Sequence, residues 1–102
     1  MPVYLHATLR AKYGQAERLC EAVGALVPLL EAEGWKLLGA YRASIGNRSH
    51  VIDLWELPDA NAFGEGLVAA AARAGFPEIA AALAEAIEEE VVQLMTKTSY
   101  SP

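Results

Sequence analysis

The hydrophobic pattern of this chain switches between strand and helix periods in the order strand, helix, strand, strand, helix pair, strand. Few single-domain folds accommodate that order. Residues 3–10, VYLHATLR, alternate: Val3, Leu5, Ala7 and Leu9 point one way, Tyr4, His6, Thr8 and Arg10 the other. Gly14 opens a helix in which Leu19, Val23, Leu26, Val27 and Leu30 form one core-facing stripe. Pro28 should bend this helix without ending it, and Gly34 suits a left-handed cap. A β-rich run over 35–46 reaches a Gly46-Asn47-Arg48 turn, and VIDLWEL, residues 51–57, returns as the second arm of a hairpin. Pro58 stops that strand and Asp59 is a good N-cap. Residues 60–74 read as an Ala-rich helix, and Pro77 starts another that runs to about Glu88. The last run, EVVQLMTKTSY, is a strand.

Two β-α-β halves joined by a hairpin make a ferredoxin-like βαββαβ plait, an α+β fold with antiparallel strand order 4-1-3-2 and both helical layers on one face. With 102 residues, the chain is expected to be a single domain over 1–102. A domain this small buries only roughly two-thirds of its unfolded surface. Its 54% hydrophobic content exceeds the usual 45–50% or so, which favours a homodimer that hides the surplus.

The same composition narrows the partners. Net charge is −5, and the eight Lys and Arg residues are scattered from Arg10 to Lys97, so neither nucleic acid nor an anionic membrane is expected. The single Cys20 cannot form an internal disulfide and is expected to be a buried, inert thiol. The opening residues lack a signal-peptide pattern, and no uncharged apolar run approaches the ~20 residues needed to cross a bilayer. The expectation is a cytoplasmic protein.

The helices of a plait cover one sheet face only. On the first strand Tyr4, His6 and Thr8 are left on the bare face, and Asp53 and Trp55 share one face of the third strand. With Ile52 and Leu54 assigned to the helix layer, Trp55 stands on the bare face beside His6. A Trp there has reason to be covered, and pairing two sheets face to face would cover it around a lined cavity.

The segment GWKLLGAYRASIGNRSHVIDLWELPDANAF, residues 34–63, resembles the NIPSNAP family, in which a glycine-led strand with an LLG core precedes a hairpin and a strand ending in Trp plus an acidic residue. VYLHATLRAKYGQAERL also resembles that family's opening, including Lys12 and Gly14, with Tyr13 where proline is usual. The resemblance covers essentially the whole chain. It implies a dimeric α/β barrel of two ferredoxin-like subunits, in a superfamily that includes cofactor-free monooxygenases, muconolactone isomerases, polyketide cyclases and haem-degrading enzymes. The family brings no agreed reaction and no catalytic set. Haem-degrading relatives carry an Asn on the first strand and a His on the second helix; this chain has neither, so haem is not expected.

The most suggestive constellation is His6 with Asp53, on central neighbouring strands. An imidazole oriented by a carboxylate is a usable general base near neutral pH. Tyr4, Thr8, Tyr41 and Trp55 would line the ligand space, suiting a small, partly apolar carbonyl or phenolic molecule and proton abstraction, isomerisation or oxygenation without a cofactor. The pair could equally be a cross-strand contact worth ~0.2–1 kcal/mol, leaving a non-catalytic ligand-binding or protein-interaction dimer. A one-residue error in face would scatter the constellation. Trp35 reads as a core or interface anchor and His50 as a solvated hairpin residue. Arg10 and Arg42 could reach an anion but read first as surface ion pairs, and Glu88-Glu89-Glu90 reads as a solvated helix end. Two isolated histidines give no metal-ligand spacing, and there is no phosphate-binding glycine loop.

Overall fold

The computed structural model describes residues 1–102. The elements are β1 (Val3–Ala11), α1 (Ala16–Glu31), β2 (Lys36–Arg42), β3 (His50–Leu57), α2 (Asn61–Ala71), α3 (Phe76–Ala86) and β4 (Ile87–Met95). The four strands form one antiparallel sheet in the order β2-β3-β1-β4. This is the ferredoxin-like plait that the pattern predicts. No single helix is long and apolar enough to cross a membrane.

The local signals act as their chemistry requires. Asp59 accepts a hydrogen bond from the Ala62 N–H at 2.9 Å, satisfying a free donor at the start of α2. The chain runs helically through Pro28 to Glu31, and Gly34 turns it out with φ +91°. At the hairpin the Asn47 side chain accepts from the Ser49 backbone N–H at 3.3 Å and from its hydroxyl at 2.6 Å.

Glu88, Glu89 and Glu90 are not a helix end. Chain reversal at Ala86 places them in β4, where the neighbouring Arg10 pairs with Glu88 at 3.4 Å and Glu89 at 3.8 Å. Cys20 is free and only partly buried, so it is less enclosed than expected.

The helices cover the face bearing Leu5, Ala7, Leu9 and Ala11 of β1, all buried, as expected. On β3 the buried set is Val51, Asp53, Trp55 and Leu57, which reverses the expected phase of that strand. Antiparallel register explains the reversal: Leu5 faces Trp55 and Ala7 faces Asp53, so these residues share the helix face. Residues Ile52 and Leu54 belong to the bare face instead.

Beneath the helices the core divides in two. One cluster joins Leu5, Leu30, Trp35, Trp55, Leu57 and Ala70. The other joins Leu9, Ala11, Leu19, Val23, Val51 and Ala86. Trp35 is the anchor of the first: its ring meets Trp55 edge-on at 5.5 Å and stacks near Phe63 at 6.0 Å, and its Nε1 donates to the Ala62 carbonyl at 3.0 Å. It lies so close to α2 that a β-carbon on Gly66 would overlap its indole nitrogen. The absence of a side chain at Gly66 is what admits the ring.

Candidate functional site

Between the two core clusters lies a row of small side chains. The strand registers align Ala40 of β2, Asp53 of β3, Ala7 of β1 and Val92 of β4 across the helix face. Two alanines flanking Asp53 cannot fill the height between sheet and helices that Trp55 fills one row away. The result is open space on both sides of the carboxyl.

On one side, Ala7, Val23, Leu26, Leu83 and Val92 help enclose a cavity of about 100 Å³. On the other, beneath α1, Cys20, Val23, Val27, Ala40 and Arg42 border a cavity of about 230 Å³. Asp53 and Val23 line both. The carboxyl is the floor between the two spaces, and the valine is the roof.

Asp53 is 3% exposed, and its buried Oδ1 has no hydrogen-bond partner. An unpaired buried oxygen of this kind costs about 1–3 kcal/mol. Burial disfavours the charged form and raises the carboxyl above its ordinary value of 3.8. A protonated Asp53 can donate to a carbonyl oxygen, and an ionised one can accept the proton of a phenol or an activated C–H.

The expected dyad does not form within the subunit. His6 is opposite Leu54 and Gln93, on the bare face, while Asp53 is opposite Ala7 under the helices. A sheet separates the two side chains. Trp55, expected at the sheet–sheet surface, is 3% exposed in the core, where it lines the smaller cavity.

The bare face does bring together Tyr4, His6 and Thr8 of β1, each half-buried, with Tyr41 of β2 opposite Ile52. Tyr41 is 61% exposed and lies back along its own strand over Gly39. Lys97 stands over the Tyr4 ring, 5.6 Å from its centroid. His50 is half-buried at the hairpin exit, 3.3 Å from the Asn47 side-chain nitrogen.

Ala7, Ala40 and Val23 are the site residues that sequence patterning missed. The only signal of Ala7 and Ala40 is small size in their strands, readable once the strands are paired, and Val23 reads simply as one member of the apolar stripe of α1.

The NIPSNAP family profile matches residues 4–102. No curated protein matches the sequence. Among solved structures, a NIPSNAP family protein of unknown function from Agrobacterium tumefaciens superposes with a TM-score of 0.84 at 18% identity, covering 99% of this chain and 92% of that one. An uncharacterized NIPSNAP-like domain protein from Burkholderia xenovorans gives 0.82 at 14% identity, with 99% and 89% covered. SnoaB, a cofactor-independent oxygenase from Streptomyces nogalater, gives 0.68 at 14% identity, with 98% of each chain covered. These likenesses establish the fold, a ferredoxin-like plait.

Proposed function

This chain belongs to the NIPSNAP family over residues 4–102, and on that premise we propose that it binds a small, largely apolar carbonyl or phenolic molecule over Asp53, between its sheet and its helices. The observation that carries this reading is the unpaired, buried Oδ1 of Asp53 beside space that Ala7 and Ala40 leave open. A carboxyl with no protein partner and an apolar surround recognises a ligand that supplies one polar atom and fills the rest with carbon.

Size limits the ligand. Spaces of about 100 and 230 Å³ lie below the roughly 300–1,000 Å³ of drug-sized sites. An apolar cavity of about 150 Å³ accepts benzene. A single-ring or short-chain molecule is therefore the scale.

Any turnover would be proton transfer at Asp53, which supplies both a donor and an acceptor state and needs no cofactor. The likeness to SnoaB, a cofactor-independent oxygenase, is compatible with cofactor-free chemistry. Binding without turnover is the second reading, favoured by the buried Oδ1 of Asp53, which has no hydrogen-bond partner through which to relay a proton.

The protein is further proposed to act as a homodimer paired through the bare face. On that face β4 exposes Val91 at 50% and Met95 at 36%, in the same sheet as the half-buried Ile52 and Leu54 of β3. An apolar face left open invites a second chain. In that pairing Tyr4, His6, Thr8 and Tyr41 fall between the two sheets.

The test is a titration of phenol and cyclohexanone into isotopically labelled protein. Amide shifts at Ala7, Val23 and Asp53 support the site; shifts confined to His6, Leu54 and Gln93 would sink it.

A further inference from the structure

The larger cavity adjoins a surface groove, and the groove is basic. Lys12, Arg42 and Arg48 line this groove of about 340 Å³ with Tyr13, Glu17 and Ser49. Three of the eight cationic side chains of an acidic chain thus gather at one place. Arg42 also borders the cavity that ends at Asp53, so groove and cavity share a wall. Register explains its position: Arg42 pairs with Val51 on the helix-covered face and reaches α1, where it pairs with Glu17. Helix α1 begins at Ala16, also in the groove, and its first N–H groups add partial positive charge there.

We propose that the ligand of the Asp53 cavity is an amphiphilic anion, its apolar body beneath α1 and its carboxylate or phosphate on Arg42, with Lys12 and Arg48 beside it. The proposal rests on reading that cavity as the ligand site. Guanidinium groups match both oxyanions with paired N–H donors. The opposite orientation is unfavourable, since an anion driven against Asp53 would be desolvated beside a carboxyl.

The groups already present can yield. Arg42 and Glu17 stand 4.0 Å apart, with side chains 45% and 82% exposed. Exposed pairs of this kind are worth about 0–1 kcal/mol. Lys12 Nζ donates to the Ala84 carbonyl at 3.4 Å, a long contact that leaves other donors free. Glu17 is the acidic residue in the groove, and the three cations outweigh it.

Hexanoate, hexyl phosphate and 1-hexanol share one apolar body and differ in the head, which makes them the probes. Dissociation constants come from amide-shift titrations at ionic strengths of about 0.01 M and 1 M, where the Debye length is about 30 Å and 3 Å. At low salt at least one anion should bind about tenfold or more tighter than the alcohol, the equivalent of one charge-assisted hydrogen bond. Which anion wins separates a carboxylate ligand from a phosphate ligand. High salt should shrink the ratio, and the double variant Arg42→Gln, Arg48→Gln should bring it close to one. Equal binding of anion and alcohol, or an advantage that survives in the double variant, overturns the anion site alone. Failure of all three probes to bind while phenol still shifts the Val23 and Asp53 amides overturns this inference alone; failure of phenol as well overturns the cavity reading with it.

Discussion

Ala7 of β1 stands directly opposite Asp53 of β3, and its single methyl group leaves the buried carboxyl facing space where a larger neighbour would have enclosed it. Ala40 of β2 flanks the carboxyl on its other side, and replacing it by Leu should fill the larger cavity. The expected outcome is loss of detectable phenol binding with a stability change within about 1–3 kcal/mol of zero, its sign set by cavity filling against overpacking. Calorimetric titration and chemical denaturation measure the two separately. Unchanged affinity would mean that ligands bind elsewhere.

Asp53 should make the protein less stable as pH rises. The folded chain holds the Asp53 proton to higher pH than the unfolded chain, because burial raises the carboxyl above 3.8. Between the two values the native state binds the extra proton, so this stabilising contribution is complete below the unfolded value and is lost as pH climbs through the folded one. Asp53→Asn should remove that downward slope. Denaturant midpoints measured from acid to neutral pH check it, and a variant with the parent's slope would refute the assignment.

Asp53→Leu replaces an unpaired oxygen with carbon in an apolar space. Stability at neutral pH should rise by about 1–3 kcal/mol while ligand binding is lost, the pattern of a residue kept for function at the expense of the fold. Thermal melts beside a binding assay give both readouts.

Gly66 and Gly64 lie two residues apart in α2 and should answer differently. An alanine methyl at Gly66 collides with the Trp35 indole nitrogen, which donates to Ala62; at Gly64 nothing lies within 4 Å. Gly66→Ala should cost about 1–3 kcal/mol or more through overpacking. Gly64→Ala should be neutral or stabilising by up to about 1 kcal/mol, as a helical glycine is replaced. Near-ultraviolet circular dichroism, sensitive to the Trp35–Trp55 contact, should change only for Gly66→Ala.

Leu54 is half-buried on the bare sheet face, opposite His6. If two copies pair through that face, Leu54→Arg places two charges in the interface and should yield a monomer with its helix-face core intact. Light scattering at micromolar concentration should report a dimer for the parent and a monomer for the variant. A monomeric parent would contradict the pairing.

Much of this architecture is legible in residue order. The hairpin is marked by Gly46 and Asn47, the α2 cap by Asp59 and the exit from α1 by Gly34. The phase of β3 is not legible. Val51, Ile52, Leu54, Trp55 and Leu57 make both faces of that strand apolar, so alternation cannot say which one meets the helices. Only pairing with β1, whose buried residues are unambiguous, decides it, and that pairing carries Asp53 and Trp55 away from His6. The candidate site was hidden for a related reason: Ala7 and Ala40 matter through what they leave empty on either side of a residue on another strand. Glu88 to Glu90 read as a solvated helix end until Arg10 is brought alongside.

The most direct test of the Asp53 site is a crystal structure of the protein soaked with 4-bromophenol, with bromine located by its anomalous signal. The account predicts bromine under α1 among Cys20, Val23 and Ala40, with the phenol oxygen within hydrogen-bonding distance of Asp53. Bromine found only on the open sheet face beside His6 and Leu54, with the space above Asp53 empty, would contradict it.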